Sequence, residues 1–282
     1  MFAITGATGH LGRKVVAGLL TRTPATNVVA VIRDPAKAAD IGIASRQADY
    51  ADPAALTQAL AGIRKLLLIS SSSLGTRQAE HANVLAAARL AGVETIVYTS
   101  LLHADQWQPG FARDHTETER MIAESGLGAT ILRNGWYWEN HTAGLRAAIA
   151  LGHLTGSAAS APISWASRQD FADAAVAVLI GDGHAGRIYE LAGDRAHTMA
   201  ELAAAAARHS GRPVAYRNLS EAEHAAFYED VGLPPPVAAL LAEVEAKGVA
   251  SGVLHDDSGV LSRLIGRPTM SLTEAVAEAL RD

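Results

Sequence analysis

Gly6, Gly9 and Gly12 lie three residues apart, between the short apolar run Phe2-Ala3-Ile4-Thr5 and a helical run from Arg13 to Leu20. Glycines in that spacing, after a strand and at the mouth of a helix, suit a diphosphate. The first permits a tight turn where a β-carbon would clash. The second lets the backbone approach a pyrophosphate, and the third lets helix and strand pack closely. The helix start offers free N–H groups and the positive end of its dipole to the phosphates. Glycines alone also make ordinary turns; here strand, loop and helix follow in the order a dinucleotide site requires, so residues Gly6, Ala7, Thr8, Gly9, His10, Leu11 and Gly12 are read as its cradle.

Arg33 follows the β-branched run 28–32, where an acidic residue would hold the ribose 2′-hydroxyl of NAD. A guanidinium there suits the 2′-phosphate of NADPH (NADP), which it can hold bidentately; a solvated surface arginine is the bland alternative. Asp34 precedes Pro35 and reads as a helix cap, and Lys37 as a solvated helix lysine rather than a phosphate ligand. Ser70, Ser71 and Ser72 end another apolar run and are small enough for the chain to pass close to a ribose or nicotinamide, although a serine-rich turn reads the same way. Gly135, Trp136, Tyr137, Trp138, Glu139 and Asn140 contain the densest aromatic cluster, and Trp136 and Tyr137 suit a stacking wall for a flat substrate as well as they suit a core. His115 shares a helix face with Glu119, and His103 lies just past an apolar run; these two histidines are the candidates for relaying a proton. No H-E-x-x-H or paired-histidine spacing points to a metal, and no G-x-S-x-G elbow points to a serine hydrolase.

These residues need strand ends to hold them. Strand-like segments at 2–5, 28–32, 46–50, 65–69, 95–99 and 129–132 alternate with helical segments at 13–20, 53–60, 78–91 and 114–125. That alternation predicts a Rossmann-type doubly wound parallel sheet, in which ligands lie beyond the carboxyl ends of the strands. The rule collects residues 6–12, Arg33, 70–74, 100–103 and 134–140. After residue 150 the pattern loosens into helical segments at 168–180, 199–209, 222–228, 237–246 and 272–280, with one strand at 188–191 and loops at Pro234-Pro235-Pro236 and Gly252. The expected organisation is a dinucleotide-binding domain over 1–150 and a smaller, mainly helical substrate lobe over 151–282, with a soft boundary across which segments interleave. The chain has no cysteine, which excludes disulfides and thiolate chemistry, and its net charge of −5 argues against nucleic acid as a partner. No long uncharged apolar run reads as a leader or membrane span, so a cytoplasmic location is expected. A homodimer is among the assemblies the sequence leaves open.

Several blocks then carry a resemblance. Gly6-Ala7-Thr8-Gly9, Arg33, Arg46-Gln47-Ala48-Asp49-Tyr50, residues 65–72, Tyr98-Thr99-Ser100-Leu101-Leu102-His103-Ala104-Asp105, Arg133-Asn134-Gly135-Trp136-Tyr137 and the tail 264–269 are similar to the bacterial NmrA-like quinone oxidoreductases of type 2, within the atypical short-chain dehydrogenase/reductases. The resemblance runs through essentially the whole chain. It implies reduction of a quinone by NADPH, without flavin or metal, and cofactor contacts at residues 6–11, Arg33, 70–72 and 135–140. The chain departs from standard dehydrogenases in lacking Tyr-x-x-x-Lys after Ser100: Tyr98 lies within a strand and Leu102 stands four residues on. A quinone accepts hydride readily, so positioning it over a nicotinamide supplies most of the catalysis. The expected acceptor pocket is bounded by Leu101, His103, Phe111, Trp136 and Tyr137, with His115, His103 or water delivering the proton. Two other readings stand beside this one: reduction of another planar electrophile of the triphenylmethane-dye type, and a non-catalytic NADP-binding redox sensor.

Overall fold

The computed structural model describes residues 1–73, 75–107 and 110–281, with Phe111 described by its backbone alone. In chain order the elements are β1 (Phe2–Thr5), α1 (His10–Leu20), β2 (Val28–Ile32), β3 (Ala44–Gln47), α2 (Pro53–Ala59), β4 (Lys65–Ile69), α3 (Arg77–Leu90), β5 (Thr95–Leu101), α4 (Gly110–Glu124) and β6 (Gly128–Asn134). There follow α5 (Trp138–Thr142), α6 (Leu145–Leu151), β7 (His153–Gly156), α7 (Arg168–Ile180), β8 (Ile188–Leu191), α8 (Met199–Ser210), β9 (Ala215–Asn218), α9 (Glu221–Asp230), α10 (Pro235–Glu243), α11 (Val260–Ile265) and α12 (Leu272–Ala279).

The chain forms two compact units: residues 1–104, 113–134 and 168–191 make the first, and 105–112, 135–167 and 192–282 the second. Among the described residues the first unit holds a seven-stranded parallel sheet in the order β3-β2-β1-β4-β5-β6-β8. The strand order reverses between β1 and β4, which opens a crevice at their carboxyl ends. Inner strands are apolar on both faces, as a sheet covered on both sides requires; all five residues of β2 are buried. Leu66 and Leu68 of β4 pack with Leu56, Leu60, Val84 and Ile122 from α2, α3 and α4 on one face. On the other strand face α1 meets α7, close enough that a β-carbon on Gly18 would lie 3.0 Å from Val176.

Local chemistry sets the element ends. Asp34 and Asp52 accept N–H bonds from residues two ahead, each followed by a proline at the first helical position. The third strand is shorter than its sequence suggests: the Asp49 side chain takes the Ala51 N–H and turns the chain before Tyr50.

The units interleave in sequence more deeply than a break near residue 150 conveys. α7 and β8 belong to the first unit, with β8 pairing Ile188–Leu191 against Ile131–Asn134. The second unit is not wholly helical: β7 and β9 form a parallel pair. Pro235 and Pro236 begin α10 rather than marking a loop, since a missing N–H is harmless in a first turn. That helix ends at Glu243 and continues as a π-helical turn, Val244–Gly248.

Candidate functional site

The glycine loop is built for close approach. Gly6 sits at φ +61°, and its carbonyl accepts the Gly9 N–H at 3.0 Å. A β-carbon on Gly12 would lie 2.2 Å from that same carbonyl oxygen and 2.7 Å from Ala7 Cα. The third glycine therefore serves the loop backbone just beyond β1, not β1 itself. α1 starts from Gly9 with no side-chain cap and no acidic residue in its first turn, so nothing in its first turn competes with an anion.

Gly6, Thr8, Gly9, Arg33, Ser70, Ser71 and Ser72 line one cleft of about 350 Å³ in the first unit. Of the other residues read into the cradle, Ala7 and Leu11 are buried and His10 is exposed at the start of α1. Arg33 is exposed, and among the described residues its guanidinium makes no hydrogen bond or ion pair, whereas Asp34 is held by its cap to Ala36. Asp49, Tyr50 and Glu80 also line the cleft and were missed in the sequence. The first two stand past the carboxyl end of β3 and obey the strand-end rule. Glu80 lies on a helix, where no sequence signal marks it. Burial pushes the Tyr50 hydroxyl up to about 12.

The serine run is tied down from behind. The Ser70 N–H bonds Thr99 Oγ1 at 2.9 Å, and the Ser71 hydroxyl donates to Glu80 at 2.7 Å. The Ser71 N–H donates to His81 Nε2 at 3.2 Å. His81 Nδ1 lies 2.9 Å from Thr118 Oγ1, whose own proton goes to the Asp114 carbonyl. Thr118 must therefore accept from Nδ1–H, which leaves Nε2 as a bare acceptor for Ser71. Burial, reinforced by Arg77, lowers the His81 pKa to about 4 and keeps this neutral tautomer. Ser70 Oγ is left buried at the cleft without a hydrogen-bond partner. An unused hydroxyl, an unpaired arginine and a cradle that a β-carbon would fill are together what a dinucleotide phosphate needs.

His115 lies in the interior of the first unit. It is 7% exposed, and its Nδ1 lies 3.0 Å from the Tyr98 hydroxyl. Burial first, then Arg77, lowers its pKa to about 3, so the neutral form is favoured near neutral pH. Burial likewise raises Tyr98 to about 12, so its hydroxyl stays protonated.

His103 is different. It holds φ +49°, uncommon for a residue with a β-carbon, and its N–H is anchored to Glu190 at 2.9 Å. Glu190 in turn meets Arg133 at 2.8 Å, and Arg133 binds Glu119 through two nitrogens at 3.0 and 2.7 Å. Ser100 donates to Glu119 at 2.5 Å. One chain of charges therefore sets the carboxyl ends of β5 and β6, with Leu101 at the end of β5.

In the second unit Gly135 is buried, and Trp136 and Tyr137 are half-buried. The Trp136 ring stacks on Trp107 at 6.1 Å between centroids. Trp138 is 2% exposed, stacks on Trp165 at 4.7 Å and donates its indole N–H to the Met270 carbonyl. Its side chain is thus committed to the core of that unit rather than presented to a cofactor. Glu139 is half-buried and Asn140 exposed, at the start of α5. Leu74 and the Phe111 side chain lie outside the described residues. Among the described residues no three His, Asp or Glu side chains converge as a metal site.

Residues 6–181 match the family model described as NAD(P)H-binding. The chain belongs to this family. Quinone oxidoreductase 2 of Escherichia coli is 51% identical over 98% of both chains. The crystal structure of that NADPH-dependent enzyme in complex with NADPH superposes with a TM-score of 0.96 over 99% of each chain. The Citrobacter sp. triphenylmethane reductase complexed with NADP(H) matches with a TM-score of 0.95 at 35% identity, covering 99% of this chain and all of that one. No helix among the described residues is long and apolar enough to cross a membrane.

Proposed function

We propose that this protein reduces quinones with NADPH and needs neither flavin nor metal. The observation that carries the cofactor half is the unpaired Arg33 guanidinium in the same cleft as the glycine loop. The likeness to a quinone oxidoreductase over nearly the whole chain supports the acceptor half. The glycine loop and the start of α1 would hold the pyrophosphate, Arg33 the 2′-phosphate, and the Ser70 hydroxyl a ribose or nicotinamide polar group. Bound NADPH supplies the hydride. Leu101 and the strained His103 are assigned to the acceptor from the β5 end, with Trp136, Tyr137 and Phe111 as the further candidates from the sequence. With His115 neutral and buried, His103 or water delivers the proton to the reduced acceptor. The proposal includes a cytoplasmic location, in keeping with a chain free of cysteine. The triphenylmethane reductase likeness favours one second reading, a planar cationic dye as an additional acceptor.

Arg33→Ala tests the assignment. Quinone-dependent oxidation of NADPH should lose about 10- to 100-fold in kcat/KM, the worth of one or two charge-assisted hydrogen bonds, while oxidation of NADH stays within a few-fold. Equal loss with both cofactors would overturn the role of Arg33.

A further inference from the structure

A cavity of about 490 Å³ lies wholly within the second unit and shares no residue with the dinucleotide cleft. Trp138 and Trp165, stacked face to face at 4.7 Å and nearly fully buried, form part of its lining. One wall is the α8 face that carries Glu201, Ala204 and Arg208, spaced so that all three share one side of the helix. Arg195 lines the cavity from the segment before that helix.

Two carboxylates and two guanidinium groups line the cavity, with no salt bridge between them among the described residues. Glu201 is taken up by its capping box, accepting the Thr198 N–H at 2.7 Å. Asp194 is taken up likewise, accepting the Thr269 N–H at 2.8 Å. Both carboxylates thus have backbone partners. Among the described residues, Arg195 and Arg208 make no hydrogen bond and no salt bridge. His197 also lines the cavity; burial lowers its pKa, so it is neutral and able to donate or accept a hydrogen bond. The result is two open guanidinium forks beside an apolar wall of Ala204, Pro268 and Met270, in a chain whose net charge is −5. Such forks match carboxylate or phosphate oxygens in pairs, and the apolar wall suits the body of a small organic anion. The volume falls in the range of small-molecule sites, roughly 300–1,000 Å³.

We propose that this cavity is a second ligand site, which takes a small organic anion: an apolar body such as a benzene ring against Ala204, Pro268 and Met270, with its carboxylate or phosphate held by Arg195 and Arg208. The proposal is independent of the quinone reading.

The test uses the full chain saturated with NADP⁺, so that the dinucleotide cleft is filled. Benzoate, phenyl phosphate and neutral benzyl alcohol are titrated by calorimetry, and ligand contact is followed on the tryptophan indole N–H signals by NMR. Saturable binding of benzoate or phenyl phosphate is expected. It should weaken at least about tenfold in R195A/R208A, and weaken further as salt rises. Both arginines are exposed, so this variant should melt as the wild type does. Absence of saturable binding, benzyl alcohol binding as well as the anions, or affinity unchanged in R195A/R208A would each overturn the proposal.

Discussion

Replacing Gly12 with alanine separates the loop's role in cofactor binding from its role in stability. The added β-carbon would sit 2.2 Å from the Gly6 carbonyl oxygen, and ordinary contact begins at 3.4 Å, so the loop must retreat by about 1.2 Å. The nearest neighbours, Gly6 and Ala7, meet it with backbone atoms, so no flexible side chain can absorb the clash. Overpacking of this kind costs about 1–3 kcal/mol. Alanine in a helix returns up to about 1 kcal/mol relative to glycine, and Gly12 lies in α1. The net loss of stability should therefore be small, about 0–2 kcal/mol, and the fold should survive. Binding should suffer more. The retreat moves Gly6 and its bond to the Gly9 N–H, and with them the N–H groups aimed at the pyrophosphate. Losing one or two charge-assisted hydrogen bonds, each worth about 1.5–3 kcal/mol, predicts NADPH binding weaker by at least about tenfold. Calorimetric titration with NADPH, alongside a thermal melt, reads both quantities. NADPH affinity equal to wild type in a folded Gly12→Ala protein would refute the reading of the loop. Gly9→Ala is the milder comparison, because its β-carbon would stand 3.3 Å from the same oxygen.

Further predictions concern the buried histidines and the Glu190 anchor. His81 and His115 have folded pKa values of about 4 and 3 against 6.5 when unfolded, so unfolding binds protons between those values. Their contribution is fully present above about pH 6.5 and is lost as pH falls towards 4; near pH 5 they add about 2.7 kcal/mol per pH unit to the slope of stability. Denaturant titrations at several pH values should show His115→Phe removing about one proton from that slope, and an unchanged slope would contradict its neutral burial. The same substitution removes one partner of the buried Tyr98 hydroxyl at a cost of about 1–3 kcal/mol, and adding Tyr98→Phe should recover part of it in a double-mutant cycle. His81→Phe removes the acceptor for the Ser71 N–H, so it should weaken NADPH, with partial rescue by His81→Gln; equal affinity in all three proteins would argue against His81 as a positioning residue. Glu190→Ala releases the His103 N–H and one bond to Arg133, and should lower kcat several-fold while NADPH affinity holds; loss of NADPH affinity instead would contradict a role on the acceptor side.

The parts of this molecule that were legible before its structure are those written in local chemistry. Gly6 and Gly12 announce a turn and a close approach. Asp34-Pro35 and Asp52-Pro53 announce helix starts, and the apolar runs announce inner strands. The parts that were not legible depend on contacts distant in sequence. β7 and β9 are four residues each and lack an apolar run; they are strands because they pair. β8 looks like part of the later lobe until its register against β6 is seen. His115 and Glu119 do share a helix face, yet spacing cannot say that this face is turned inward with Thr118 and Ile122. His103 showed only its position past a strand, while its left-handed backbone and its N–H bond to Glu190, far along the chain, are seen only in the fold.

The proposed reaction is hydride transfer from NADPH to a quinone without flavin. Its most direct test is turnover by the purified chain, verified free of flavin by its absorbance spectrum, with NADPH consumption and quinol formation followed together across a panel of quinones. The account predicts saturable consumption of NADPH matched mole for mole by quinol. Tight NADPH binding with no quinone-dependent consumption on any acceptor would contradict it.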